Sequence, residues 1–201
     1  MDLVIQNELP SQAEREAVDA VLGPPGSSWE GGLEASERDQ RVARGGHAAR
    51  AQRHLLLPTL HAVQGRVGWI SRGALNYVCR RLTIPPAEAY GVASFYALFS
   101  MEPRPPVVAH VCTDVACICR GSQELVEELE RTVGPEGAHP GNGQAVWHES
   151  PCLGMCEHAP AALLTVAGEE PREAPVAYVT APDVASMLAG GAPPATRRGA
   201  E

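Results

Sequence analysis

Apolar residues recur at helical spacing between about residue 48 and residue 100. Three segments carry this pattern, and each begins at a helix start signal or ends near a stop signal. Their repeating apolar positions are Leu56, Leu60 and Val63; Leu75, Val78 and Leu82, after a Ser71 cap; and Ala89, Val92, Ala93 and Tyr96, after Pro85 and Pro86. Because each helix would bury only one stripe, the pattern predicts a small helical bundle.

The period of the pattern changes after residue 103. Four short runs predict strands, namely VVAHV, AVWHES, ALLTV and VAYVT. Residues 121–133 predict an amphipathic helix, and a last helix is predicted after Pro182. A stretch of this size can pack one helical layer on one sheet. The fold class expected for the whole chain is therefore α+β, with an N-terminal helical bundle.

Changes in composition divide the chain into four predicted segments. Residues 1–46 predict a flexible N-terminal extension, in which Ser11 and Glu14 have the spacing of a capping box for one short helix. Residues 47–102 predict the helical bundle domain, and residues 103–190 predict the α+β domain. Residues 191–201, rich in Pro and Gly, predict a disordered tail.

Charge and hydropathy limit the functions open to the chain of 201 residues. Its net charge of −8 disfavours nucleic acid and anionic membrane surfaces as partners, because both select positive charge. The N-terminal residues do not resemble an export signal, and the apolar runs are too short to span a bilayer. We therefore expect a cytoplasmic protein with no nucleic-acid partner and no direct membrane insertion. In that reducing compartment, clustered cysteines indicate metal binding or redox chemistry rather than structural disulfides.

Four of the six cysteines form two pairs, and each pair follows a predicted strand. Cys112 and Cys117 follow VVAHV with CxxxxC spacing, and Cys152 and Cys156 follow AVWHES with CxxxC spacing. Both pairs are therefore expected on loops at the carboxyl ends of strands, where their sulfurs can meet at one sheet edge. These loops are wider than the CxxC turns of most zinc sites. They favour a 2Fe-2S cluster, which has two metals that each need two thiolates.

Two other functional classes stay open on the residues alone. One is a structural zinc-binding module with no redox role, and the other is a thiol-disulfide regulator that bridges Cys112 and Cys117. A Rieske site is disfavoured because the chain has no CxxH half. Cys79 lies on a helical apolar stripe and is interpreted as a buried hydrophobe. Cys119 is interpreted as a spectator, since a cluster takes four thiolates.

Four motifs, in order and with matching separations, resemble the thioredoxin-like 2Fe-2S subunit of NADH dehydrogenase modules. They are LLPTLHAVQGRVGWIS, IPPAEAYGVASFYALFS, VCTDVACICRGS and CLGMCEHAPA, and the resemblance covers about residues 48–185. Such modules are found in respiratory complex I and in NAD-linked formate dehydrogenases and hydrogenases. The resemblance implies a thioredoxin-like domain after the helical bundle. It also implies that Cys112, Cys117, Cys152 and Cys156 bind one 2Fe-2S cluster.

The resemblance further implies a partner, a larger iron-sulfur subunit that binds FMN and NADH. The chain itself carries neither a GxGxxG turn nor a Walker loop. It is therefore expected to be an electron-transfer subunit that exchanges electrons with the partner's FMN and has no turnover of its own. The complex would be an NADH-quinone oxidoreductase or an NAD-dependent formate dehydrogenase, which the chain would join at the cytoplasmic face of the membrane.

Overall fold

The computed structural model describes residues 8–25, 51–139 and 143–194. These residues divide into two compact units, one before and one after the boundary between Pro103 and Arg104. Residues 26–46 of the expected extension and residues 195–201 of the expected tail lie outside the described residues. In the described part of the chain, no helix is both long and apolar enough to cross a membrane.

Four α-helices are seen in the described residues of the first unit. They are α1 (Gln12–Leu22), α2 (Leu56–Val67), α3 (Arg72–Leu82) and α4 (Pro86–Phe95). The predicted caps are present: the Ser71 hydroxyl accepts the Ala74 N–H at 3.0 Å, and Pro86 occupies the first turn of α4. The fully buried Leu60, Val63 and Leu75 belong to the core of this unit. The predicted helices of this region are therefore confirmed.

Helix α1 packs into this unit, although the sequence suggested a flexible extension. Its capping box is formed as predicted, with the Ser11 N–H donating to Glu14 Oε2 at 2.7 Å and the Ser11 hydroxyl accepting the Glu14 N–H at 3.3 Å. Val18 of α1 is completely buried in the same core as α2 and α3. Residues 8–25 are thus part of the helical unit, and the boundary predicted at residue 46 stays a prediction.

A buried polar network joins α1 to α3. The guanidinium of Arg81, whose side chain is only 4% exposed, pairs with the carboxylate of Asp19. The same guanidinium donates to the carbonyl of Gly23 at 2.6 Å, and the Tyr77 hydroxyl donates to Asp19 Oδ1 at 2.7 Å. A buried charge is costly unless it is paired, so this network requires α1 to stay in place.

Replacing Asp19 with Ala should destabilise the first unit by about 3 kcal/mol, because it leaves the buried Arg81 charge without a carboxylate. Urea unfolding followed by helical circular dichroism measures the loss. The matched control is Glu170→Ala, which breaks the solvent-exposed pair with Arg172 and should change the midpoint little. Equal midpoints for Asp19→Ala and Glu170→Ala would show that the Asp19–Arg81 pair does not hold α1.

The second unit is built on a four-stranded sheet with the order β2-β1-β3-β4. The strands are β1 (Val107–Cys112), β2 (Ala145–Ser150), β3 (Ala161–Val166) and β4 (Arg172–Ala177). Strand β1 pairs in parallel with β2 and antiparallel with β3, which pairs antiparallel with β4. Together with the helices, this mixed sheet confirms the predicted α+β fold class.

Within residues 104–139 and 143–194, the second unit has three further α-helices. They are the short α5 (Val115–Ile118), α6 (Ser122–Thr132) and α7 (Ala181–Leu188). Leu125 and Leu129 of α6 share a core with Met187 of α7 and with Val111 and Trp147 of the sheet. The Trp147 indole N–H donates to the carbonyl of Gly134 at 3.1 Å, so the polar atom of this buried ring is satisfied.

The strand predicted at VAYVT is present with different bounds. Strand β4 runs over Arg172–Ala177 and so includes only the first two residues of VAYVT. Tyr178 has a φ of 50°, which ends the extended chain. Pro175 lies within β4, where the absence of an N–H is tolerated because β4 is an edge strand. The last helix also begins one residue earlier than Pro182, at Ala181.

Candidate metal centre

The four predicted site cysteines line one cavity of about 280 Å³ in the second unit. Cys112 is the last residue of β1, and Cys117 lies in α5. Cys152 lies in the loop that follows β2, and Cys156 begins the short 3₁₀ helix Cys156–His158 at the end of that loop. Because β1 and β2 are adjacent and parallel, with Cys112 opposite Ser150, both loops leave the sheet at the same edge. The expected meeting of the two pairs at one sheet edge is confirmed.

Two of the sulfurs are in contact, since Cys152 Sγ and Cys156 Sγ are 3.5 Å apart. The other two cysteines, Cys112 and Cys117, are neighbours in the same cavity. Cys112 and Cys117 are 3% and 2% exposed, whereas Cys152 and Cys156 are exposed at the mouth of the cavity. Among residues 8–25, 51–139 and 143–194, no group of three or more His, Cys, Asp or Glu side chains is arranged so that it could hold a metal ion.

Proton affinity in the site is set by burial and by the neighbouring thiols. Burial raises the pKa of Cys117 to about 11, and the nearby Cys112 sulfur acts in the same direction. The Cys152 sulfur raises the pKa of the exposed Cys156. With their pKa values raised, the Cys117 and Cys156 thiols hold their protons at neutral pH. Binding of a cationic group must therefore displace these protons, and its positive charge offsets the repulsion between the thiolates.

Two backbone N–H groups of the loop after β2 donate hydrogen bonds to side chains of the site. Gly154 has a φ of 75°, which favours glycine, and its N–H donates to Cys152 Sγ at 3.4 Å. The Cys152 N–H donates to Asp114 Oδ2 at 3.1 Å. Sequence reasoning missed Asp114. Its position directly before a short helix is typical of an N-cap residue and was the available signal.

The other two cysteines do not line the cavity. Cys79 is buried in the core of the helical unit, as predicted, and burial raises the pKa of its thiol to about 11. Cys119 is exposed at the end of α5. Its interpretation as a spectator stays a prediction.

His110 is a buried histidine close to the site in sequence. It is only 3% exposed and lies in β1, two residues before Cys112. Burial lowers its pKa to about 3, and the charges of Arg104 and His148 act in the same direction. The imidazole is therefore neutral at physiological pH.

A cavity lined by four cysteines on this α+β fold is typical of an iron-sulfur protein, and comparison with known families supports the same class. Residues 43–174 match the family described as thioredoxin-like [2Fe-2S] ferredoxin. The chain belongs to this family. The thioredoxin-like domain and the 2Fe-2S cofactor that the resemblance implied are thus confirmed. The donor set fits this cofactor, since a 2Fe-2S cluster takes four thiolates in two pairs.

Two curated relatives indicate which kind of protein the chain is similar to. The chain is 31% identical over 141 residues to NADH-quinone oxidoreductase subunit 2 of Thermus thermophilus, covering 69% of this chain and 74% of that protein. It is 32% identical over 111 residues to an NADH-quinone oxidoreductase subunit of Rickettsia typhi, covering 54% of this chain and 65% of that protein. The resemblance to subunits of NADH dehydrogenase modules is therefore confirmed.

One solved structure supports the fold. It is an NAD⁺-reducing [NiFe]-hydrogenase in the air-oxidized state, with a TM-score of 0.51 and 22% identity. The match covers 67% of this chain and 22% of the hydrogenase chain. At this level of identity the likeness concerns the fold alone.

Proposed function

We propose that Cys112, Cys117, Cys152 and Cys156 bind one 2Fe-2S cluster and that the chain is the one-electron carrier of an NAD-linked oxidoreductase. The observation that carries this proposal is the single cavity lined by all four cysteines, in which the Cys152 and Cys156 sulfurs are 3.5 Å apart. A bound 2Fe-2S cluster supplies transfer of single electrons at a potential that the protein sets. Each of the four side chains would supply one thiolate ligand to the cluster.

The two cysteine pairs differ in exposure, and each pair has a different role in this proposal. The buried Cys112 and Cys117 exclude water from the inner side of the cavity. The exposed Cys152 and Cys156 form its open side, where an electron can enter or leave over a short distance. The Gly154 N–H donates to Cys152 Sγ and would stabilise negative charge on that thiolate.

The electron partner in this proposal is a larger iron-sulfur subunit that binds FMN and NADH. The names of the relatives support it, since they are subunits of NADH-quinone oxidoreductases. An exposed apolar surface beside the cavity also supports it: Val115 is 72% exposed and Ile118 is 43% exposed on α5. Exposed apolar residues beside a functional site are typical of protein interfaces. In this proposal the complex reduces quinone or oxidises formate and lies at the cytoplasmic face of the membrane.

The purified chain alone should not oxidise NADH, because the hydride chemistry belongs to the flavin of the partner. The measurement is NADH oxidation with ferricyanide as acceptor, together with the absorbance of the cluster. We expect NADH to bleach the cluster only after the flavoprotein subunit is added, and dithionite to bleach it in either case. Substantial NADH oxidation by the chain alone would refute this division of labour.

A further inference from the structure

Asp114 connects the two loops that carry the cysteines. Its Oδ1 accepts the Val115 N–H at 2.7 Å and thereby caps α5, the helix that contains Cys117. Its Oδ2 accepts the Cys152 N–H at 3.1 Å, from the loop 38 residues further along the chain. Its main-chain carbonyl accepts the Cys117 N–H at 2.8 Å. One residue thus holds the backbone of a cysteine in each pair.

The hydrogen bond from Cys152 to the Asp114 carboxylate lies just beyond the backbone pairing of β1 with β2. Just past the end of β1, the Thr113 N–H donates to the Ser150 carbonyl at 3.0 Å, in register with the β1–β2 pairing. Beyond this bond, Asp114 begins the segment that leads to Cys117, and Pro151 begins the segment that leads to Cys152. The Asp114 side chain links these two segments. Hydrogen bonds to an ionised carboxylate are shorter and about twice as strong as those between neutral groups.

Asp114 also lies in the wall of the cavity itself. A negative charge at this position acts on any change of charge inside the cavity, because an electron added there is repelled by the carboxylate. The residue can therefore affect both the position of the sulfurs and the ease of reduction.

We propose that Asp114 is a positioning residue of the cluster site, which ties the loop of Cys152 to the helix of Cys117 and holds the midpoint potential down by its charge. This inference rests on the proposed binding of a 2Fe-2S cluster by the four cysteines. It predicts that loss of the carboxylate weakens retention of the cluster and makes the cluster easier to reduce.

The test compares Asp114→Ala and Asp114→Asn in the full chain. Asn keeps an oxygen that can cap α5, but its NH₂ group cannot accept the Cys152 N–H. Two quantities are measured on anaerobically purified protein: the rate at which a chelator removes iron, and the midpoint potential from an EPR-monitored redox titration. We expect severalfold faster loss of iron from Asp114→Asn, faster loss still from Asp114→Ala, and a more positive potential in both variants.

The matched control is Asp183→Asn. This carboxylate accepts the Thr180 N–H at 3.0 Å at the start of α7 and does not line the cavity. Its loss should lower the stability of the unit and leave the midpoint potential unchanged. A purely structural role for Asp114 would give the same result as this control.

The outcomes separate this inference from the proposed function. If the unsubstituted chain holds no 2Fe-2S cluster, the proposed function fails before any variant is compared. If it holds one, and Asp114→Asn matches it in iron loss and in potential, the inference about Asp114 is overturned. If Asp114→Ala does not fold, Asp114→Asn carries the comparison alone.

Discussion

Replacing Cys152 or Cys156 with Ser should abolish the EPR signal of the dithionite-reduced chain or change its g-values deeply. The two sulfurs lie 3.5 Å apart at the open side of the cavity, and each is expected to supply one of four thiolates. A hydroxyl binds iron far less readily than a thiolate does, so iron and sulfide content should fall with the signal. EPR and chemical iron and sulfide assays on the same anaerobic samples measure both effects.

The control variants for this experiment are Cys79→Ala and Cys119→Ser. Cys79 is buried in the other unit, and Cys119 is exposed outside the lining of the cavity. Both variants should keep the EPR signal and the iron content of the unsubstituted chain. A chain that tolerates Ser at Cys152 and Cys156 but loses its signal in Cys119→Ser would require a different set of ligands.

Removing the iron should expose the second unit to proteolysis and leave the helical unit intact. In the proposal, the cluster cross-links two loops that are far apart in the chain, and a cross-link over such a separation contributes about 3 to 4 kcal/mol by loop-closure entropy. Arg120 is an exposed trypsin site three residues after Cys117. Cleavage there should be much faster in the iron-free protein.

The internal control for this experiment is cleavage within α3, at Arg72 and Arg80. The helical unit contains none of the four proposed ligands, and its core depends on its own apolar contacts. Its cleavage rate should be the same with and without iron. Equal cleavage at Arg120 in both forms would show that the cofactor does not stabilise the second unit.

Local signals predicted much of this architecture. The spacing of Leu56 and Leu60 and the cap at Ser71 each act within one or two turns, so helices α2 and α3 could be predicted. The convergence of the cysteines could be predicted as well, because Cys112 and Cys152 each follow a β-rich run and adjacent parallel strands end at the same sheet edge.

The features that the sequence did not predict depend on long-range contacts or on unusual backbone conformations. The Asp19–Arg81 pair fixes α1 across 62 residues, and the Asp114–Cys152 bond spans 38 residues. Neither has a periodic signature. The edge strand β4 begins with polar residues and contains Pro175, whereas the β-like run VAYVT overlaps only its last two residues and is ended by the positive φ of Tyr178. In this case local propensity placed the strand too far along the chain.

The most direct test of the account is the metal content of the anaerobically purified chain, determined together with its EPR spectrum before and after dithionite. The account predicts two irons and two acid-labile sulfides per chain, a coloured protein, and an EPR signal that appears only on reduction. A colourless protein that contains one zinc per chain and stays EPR-silent after dithionite would contradict it.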